Sequence, residues 1–289
     1  MNALRLALAQ YPIEEPATLS AYLGKLTAWC EEAAGAGAQL LVFPEYAGAE
    51  AMAVFGRAAN RDLSGATEKL QDLLPAVDDH LAALAARLGV WIVGPSAPRR
   101  TGDRLVNRAS VFSPDGILDV QDKAILTPFD REEWRLSGGD ALTLFETPFG
   151  KVGVLICYDV EFPLLARDLA ARGAALLVCP SCTDTLAGYW RVRIGAQARA
   201  LENQCAVVQA PTVGEAPWTR ALDVNRGAAG LFLPPDQRSV PDGVAKLGRM
   251  DEPGWVHAEV GLDAVTALRE RGEVRGFRDW DEQARVLPD

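Results

Sequence analysis

Three residues stand where a chain of this kind could do chemistry. Glu45 follows an apolar run in LLVFPEY, Lys123 follows a period-two stretch in LDVQDKAIL, and Cys157 closes an apolar run in KVGVLICYDVEFP. A thiol becomes a nucleophile once it loses its proton, and a carboxylate shielded from water is basic enough to take that proton. An ammonium group can stabilise the oxyanion that forms when a carbonyl carbon is attacked. Taken singly, each residue also has an ordinary reading: Glu45 as a solvated loop acid, Lys123 as a surface lysine, Cys157 as a small buried hydrophobe. The scarcity of the usual base sharpens the question, because the 289 residues include two histidines, His80 and His257. Nucleophilic catalysis would have to place one of them or use another base.

Composition narrows the function classes. The chain is 49% apolar and 24% charged, with 29 basic against 39 acidic residues and a net charge of −10. These are ordinary values for a globular protein long enough to bury a core without disulfides or metal. Five cysteines, an odd number, do not read as a secreted disulfide framework. A reducing, cytoplasmic location is expected. The opening MNALRLALAQYPIEE has too short an apolar run for a signal peptide, and no later run approaches the ~20 apolar residues of a membrane span. No cluster of Lys and Arg offers a footprint for nucleic acid. Two histidines poorly supply a metal centre, so neither metal nor cofactor is expected.

Periodicity predicts the elements that would position the three residues. Residues 4–10, 39–43, 90–93, 142–145, 151–157, 175–179 and 205–209 read as strands, with helical patterns over 18–34, 67–88, 163–171 and 189–203. Residues 106–112 and 117–121 flank Ser113-Pro114-Asp115-Gly116 and read as a hairpin. Residues 227–260 add two or three further strands. Continuously apolar strands flanked by amphipathic helices imply sheets covered by helices, and strand ends are where such sheets build sites. A cysteine at a strand-to-helix turn can project its sulfur into a cleft, and the dipole of a following helix would favour thiolate.

The ordered motifs FPE, D-K and GVLICYDVEFP, followed by Trp190, Arg193, Ala196, Arg199, Ala200, Glu202 and Asn203 in the pattern W-x-x-R-x-x-A-x-x-R-A-x-E-N, resemble the nitrilase superfamily of carbon–nitrogen hydrolases. The resemblance spans residues 4–260. It implies an α/β fold, a four-layer α-β-β-α sandwich, with a hydrolase domain over 1–261 and a C-terminal extension over 262–289 packing on the domain or on a partner subunit. It also implies a triad of Glu45, Lys123 and Cys157, and homodimers or larger homo-oligomers paired through the helices that flank the sheets. With it come oxyanion stabilisation by Lys123 and the Tyr158 N–H, and a second glutamate between the lysine and the cysteine. Placing Trp134 on the E-x-W pattern selects Glu132, with Glu133 as the alternative. One departure is visible: the family often continues F-P-E where this chain has Phe162-Pro163-Leu164, which leaves the triad intact and removes a contact at a helix start.

The expected activity is hydrolysis of a non-peptide C–N bond in a small amide, ω-amide or N-carbamoyl compound, through a Cys157 thioester. A nitrile substrate, acyl transfer to an amine, and a catalytically silent binding module on the same fold are the competing readings. Cys179-Pro-Ser-Cys182 lacks a second C-x-x-C pair, so burial for Cys179 and lining of the cleft for Cys182 are expected; Cys30 and Cys205 read as core. Loops 46–63, 127–139, 183–189 and 212–227 would shape the pocket. Arg131, Arg135 and Arg191 lie close enough to the motifs to meet a substrate carboxylate.

Overall fold

The computed structural model describes residues 3–116 and 118–286. Strand β1 (Leu4–Pro12) is where the two halves of the molecule meet. In the first half it pairs in parallel with β2 (Leu40–Val42), which pairs with β3 (Trp91–Val93). The sheet continues through β4 (Ala97–Thr101), β5 (Arg104–Phe112) and β6 (Leu118–Asp122), with β5 antiparallel to all three of its neighbours. The second half runs β7 (Leu144–Thr147), β8 (Gly150–Val154), β9 (Ala174–Ser181) and β10 (Ala206–Glu215). Beyond β10 lie β11 (Val224–Asn225), β12 (Gly230–Phe232) and β13 (Val244–Leu247). Strand β14 (Gly254–Val260) returns antiparallel to β1 along its whole length. The halves join where Tyr11 and Pro12 of β1 lie beside Thr212 and Val213 of β10.

Side-chain alternation along β1 explains the layers. Leu4, Leu6 and Leu8 face the core between the two sheets, together with Val154, Leu176, Val178 and Val208 from the second half. Ala7, Ala9 and Tyr11 face the other way, onto Tyr22, Leu26 and Cys30 of α1 (Leu19–Gly35). Short α2 (Gly56–Ala59) and α3 (Leu63–Leu70) lead into α4 (Leu74–Leu88), which packs on the same outer face through Val77, Leu81 and Leu84. The single turn α5 (Pro128–Glu132) follows β6, while α6 (Pro163–Ala171) and α7 (Leu186–Asn203) cover the second sheet. The result is the expected α-β-β-α sandwich.

The hairpin, the three late strands and most of the helices fall close to where periodicity predicts them. The helix expected over 67–88 is instead two helices, because Pro75 occupies the first turn of α4, where its missing N–H is harmless but no helix can run in from before it. Gly89, in the left-handed region at φ 66°, ends α4 as the sequence suggests. The strand expected to reach Cys157 stops at Val154, so the cysteine sits three residues beyond it. Strand β4, with sequence APRRT, was not anticipated; a proline and two arginines carry no apolar alternation. The expected start of β6 at Ile117 lies outside the described residues.

Within residues 262–286 several groups contact α6 and the end of α7. Short α8 (Leu262–Thr266) and α9 (Leu268–Arg271) bury Leu262, Val265 and Leu268. The Gln204 side chain donates to the carbonyls of Leu268 and Val274 at 2.9 and 3.0 Å, and the Phe277 ring takes the guanidinium groups of Arg167 and Arg269 at 4.3 and 4.0 Å.

Helix α7 carries the longest of the motifs, and its packing explains the small residue within it. A Cβ on Gly195 would stand 3.1 Å from the Val160 carbonyl oxygen, so the helix lies directly against the backbone turn that follows Cys157. The prediction is that Gly195→Val lowers stability by about 1–3 kcal/mol through overpacking, read as a drop in the denaturation midpoint; an unchanged midpoint would show that α7 has room to retreat.

Candidate active site

Glu45, Lys123 and Cys157 come together in one cleft of about 360 Å³, at the ends of strands from both halves. Glu45 sits just after β2, in a turn whose next residue, Tyr46, adopts φ 58°. Its carboxylate is buried, and every partner it has is directional. Oε1 accepts from Lys123 Nζ at 2.8 Å and from Asn107 Nδ2 at 2.9 Å, while Oε2 accepts from the Cys182 N–H at 3.1 Å. Lys123 leaves β6 with its ammonium 2% exposed and divided between two acids, Glu45 and Asp130, the latter at 2.7 Å.

Asp130 is the third charge, and its position follows from local sequence. Thr127-Pro128-Phe129-Asp130 forms a capping box: the Thr127 hydroxyl accepts from the Asp130 N–H, and Asp130 Oδ2 accepts from the Thr127 N–H and hydroxyl. The same Oδ2 holds Lys123, and Oδ1 accepts from the Tyr46 hydroxyl. Tyr46 in turn stacks on Trp134 with ring centroids 5.1 Å apart.

The nucleophile candidate sits on a strained turn. Cys157 has φ 51°, a conformation that costs a non-glycine residue energy and so must be held by its surroundings. Asp159 does the holding. Its carboxylate accepts from the Ile156 N–H at 3.1 Å on its own turn, and from the Ala124 and Ile125 N–H groups at 3.2 and 2.7 Å. One side chain thereby fixes the backbone just after Lys123 to the backbone just before Cys157. On the far side, Arg199 of α7 donates to the Val160 carbonyl at 3.0 Å and is itself held by Glu202, while Asn203 donates to the Arg199 carbonyl. These contacts account for the R-A-x-E-N portion of the motif.

Burial and charge set the protonation states. Burial pushes the Glu45 carboxyl up to about 7, with the Lys123 ammonium pulling the other way and Asp130 adding to the rise. Burial works against the charged form of Lys123 as well, but the carboxylates of Glu45 and Asp130 outweigh it and hold the ammonium well above its usual range. Asp130 is held below the usual carboxylate range: burial raises it, and Lys123 with the hydrogen bonds from Tyr46 and Thr127 more than offsets that. Burial and then the Glu45 charge push the Cys157 thiol well up. The helix expected to favour thiolate by its dipole is a five-residue 3-10 turn, Cys157–Glu161, and burial with the Glu45 charge works toward the thiol form. Its Sγ lies 3.7 Å from the Cys182 carbonyl oxygen.

The remaining expected site residues divide. Tyr158 and Cys182 line the cleft. Glu132 and Glu133 do not; both are exposed, and Glu133 pairs with Arg220 at the rim. Asp130 occupies the place beside the lysine, and helix geometry separates the two acids: residues two apart on a helix point roughly 200° apart, so a turn that aims Asp130 inward aims Glu132 out. Of the three arginines proposed near the substrate, Arg191 lines the cleft and Arg131 and Arg135 do not. Cys30, Cys179 and Cys205 are buried. His80 bridges α1 and α4 through Thr27, and neither histidine reaches the cleft. Asn107, Asp130 and Asp159 were not singled out from the sequence. The T-P-F-D capping signal was available for Asp130, whereas nothing local marks the other two. Among the described residues no group of three or more His, Cys, Asp or Glu side chains is arranged to hold a metal ion.

The comparisons with known proteins agree with this architecture. The family model described as "Carbon-nitrogen hydrolase" matches residues 5–239. The chain belongs to the carbon–nitrogen hydrolase family. The "Probable hydrolase YhcX" of Bacillus subtilis is 32% identical over 277 residues, which cover 96% of this chain and 53% of that protein, so the chain spans about half of its length. The "Omega-amidase NIT2" of Xenopus tropicalis is 30% identical over 290 residues, 97% of each chain. In fold, the chain is similar to Nit3 of Saccharomyces cerevisiae, described as a member of branch 10 of the nitrilase superfamily, at a TM-score of 0.72 and 22% identity over 93% of this chain and 94% of that one.

The bracing role of Asp159 generates a stability prediction. Asp159→Asn replaces an acceptor oxygen by a donor facing backbone N–H groups and is expected to cost about 2–4 kcal/mol, measured by denaturant unfolding. A loss below about 0.5 kcal/mol would mean that the turn is held by other contacts.

Proposed function

We propose that this chain hydrolyses the C–N bond of a small non-peptide amide, an ω-amide or N-carbamoyl compound, through a thioester on Cys157. The observation that carries the reading is the buried Glu45–Lys123 pair, 2.8 Å apart, in the cleft that also holds the Cys157 sulfur. A carboxyl raised to about 7 is half in its basic form at neutral pH and well matched to accept a thiol proton. As sulfur attacks the carbonyl carbon, Glu45 takes the thiol proton. The oxyanion is stabilised by the Lys123 ammonium and by the Tyr158 N–H, which lies in the opening turn of a helical segment where N–H groups lack earlier partners. Glu45 then returns the proton to the leaving nitrogen, and ammonia or an amine departs. Water, losing a proton to Glu45, attacks the thioester; the acid leaves and that proton restores the thiol. Asp130 holds Lys123 in place, whereas the second glutamate that the resemblance implies, at Glu132 or Glu133, was expected to position substrate and help proton transfer. Cys182 contributes its backbone N–H to Glu45, which fixes the carboxylate's orientation.

Two further parts of the proposal concern assembly and compartment. Leu164, Trp190, Ile194 and Leu201 of α6 and α7 are 70, 45, 59 and 49% exposed. A second copy of the chain would cover them, which supports pairing through the helices over the second sheet. The free thiols support work in a reducing compartment such as the cytoplasm, and no described helix is long and apolar enough to cross a membrane.

Ammonia release from a panel of small amides, ω-amidated acids, N-carbamoyl amino acids and nitriles tests the reading. Cys157→Ala and Cys157→Ser are expected to abolish release while unfolding normally, and release retained by Cys157→Ala would reject the thioester. For wild type, kcat/KM is expected to fall as pH drops through about 7, because protonated Glu45 cannot accept the thiol proton. Asp130→Asn removes a negative charge that raises Glu45, so its acid limb should move to lower pH; a limb that stays in place would separate Glu45 from the profile.

A further inference from the structure

We propose that Asn107 divides the work of the Glu45 carboxylate, closing Oε1 to protons so that Oε2 is the oxygen through which the thiol proton passes. The proposal rests on the amide-hydrolase reading above and deepens it, by naming the accepting atom and a residue that positions it. A carboxylate oxygen offers two lone pairs to donors. On Oε1 both are taken: Lys123 Nζ donates at 2.8 Å and Asn107 Nδ2 at 2.9 Å. On Oε2 the Cys182 N–H takes one, at 3.1 Å, which leaves the other for the sulfur's proton. The two oxygens also face different neighbours. Cys182 reaches Oε2 through its N–H and the Cys157 sulfur through its carbonyl oxygen, 3.7 Å away. Oε2 is therefore on the sulfur's side of the carboxylate, and Oε1 is on the side of the ammonium.

Asn107 is suited to this role by where it stands. It lies on β5, fully buried, and its backbone carbonyl accepts from the Lys123 N–H at 2.9 Å. One residue thus holds the backbone of the lysine and the side chain of the glutamate. The Asn107 side-chain oxygen is buried with no hydrogen-bond partner, an unfavourable arrangement that is tolerated while the amide nitrogen serves the carboxylate. A proton on Oε1 would leave one lone pair for two donors. A proton on Oε2 leaves every existing hydrogen bond of the carboxylate intact, and holds that proton on the side from which the leaving nitrogen must collect it.

The charged and titratable groups facing Glu45 are Lys123, Asp130, Tyr46, Cys157, Cys179 and Cys182. Asn107 is uncharged, so replacing it removes a hydrogen bond and no charge. The rate of Cys157 alkylation by iodoacetamide, followed against pH by the mass of the peptide that carries it, tests the role without any amide substrate. In wild type the rate is expected to fall as pH drops through about 7. Asn107→Ala and Asn107→Leu both remove the donor while changing side-chain volume in opposite senses, and each is checked by its unfolding. Losing a hydrogen bond that favours the charged form raises the Glu45 carboxyl, so in both variants this limb should move to higher pH, by about 1–2 units; either variant alone reads the shift if the other fails to fold. For an amide that wild type turns over, kcat above the limb should fall about 10-fold or more with KM held, because a proton settling on the freed Oε1 lone pair is out of reach of the leaving nitrogen. A limb that stays in place or moves down in a folded variant, or an unchanged kcat above it, would overturn the role of Asn107 while leaving Glu45 as the base. Absence of any limb near 7 in wild type would reject Glu45 as the base and this assignment with it.

Discussion

One buried ammonium organises this protein. Taking an ion out of water costs several kcal/mol even after the surroundings relax, and Lys123 is almost fully withdrawn from solvent. It can stay charged because two carboxylates from different parts of the chain, Glu45 and Asp130, converge on it. Two acids around one cation leave a net negative charge, which the site holds unevenly. Asp130, with hydrogen bonds from Tyr46 and Thr127, keeps its charge; Glu45, more dependent on the shared lysine, is left near 7. The inequality between two chemically similar groups leaves Asp130 charged and Glu45 close to its midpoint at neutral pH.

The rest of the fold holds that cluster in register with a sulfur. Glu45 and Cys157 belong to opposite halves of the sandwich, and each is flanked by or built on a backbone conformation that side chains rarely adopt. Such conformations persist only when neighbours over-determine them. Around Cys157 those neighbours are Asp159, which ties its turn to the exit of β6, and α7, which packs Gly195 and Arg199 against the Val160 carbonyl. Around Glu45 they are Ser96, whose hydroxyl accepts from the Tyr46 N–H, and the Cys182 N–H. The site is therefore rigid at its base, while Arg191 of α7 and Asp223, just before β11, line its mouth.

Much of the architecture was legible in the residues themselves. Alternation in β1, the continuously apolar β9 and β10 and the Ser113-Pro114-Asp115-Gly116 turn lead to helix-covered sheets, because periodic burial and short turns are local properties; the four-layer sandwich and the choice of Glu45, Lys123 and Cys157 follow from the resemblance that the ordered motifs carry. The acid beside Lys123 was not legible in the same way. Glu132, Glu133 and Asp130 lie within four positions of one another, and choosing among them requires the phase of a single helical turn, set by the Thr127 cap and by where Lys123 arrives. Asn107 and Asp159 were out of reach for a related reason: an asparagine within a strand and an aspartate after a cysteine show nothing special until residues far away in sequence are placed beside them.

The amino-acid sequence by itself determined which chemistry was open to this protein. The two histidines stand away from the motifs, whose resemblance points to a carboxylate base, and helix-covered sheets follow from burial periodicity that each segment carries alone. Only the tertiary structure decided which acids stand beside Lys123, which backbone turn carries Cys157, and which arginine faces the cleft. Those properties depend on withdrawal from water and on distances between groups tens of residues apart, and neither exists until both halves of the sandwich close around Lys123.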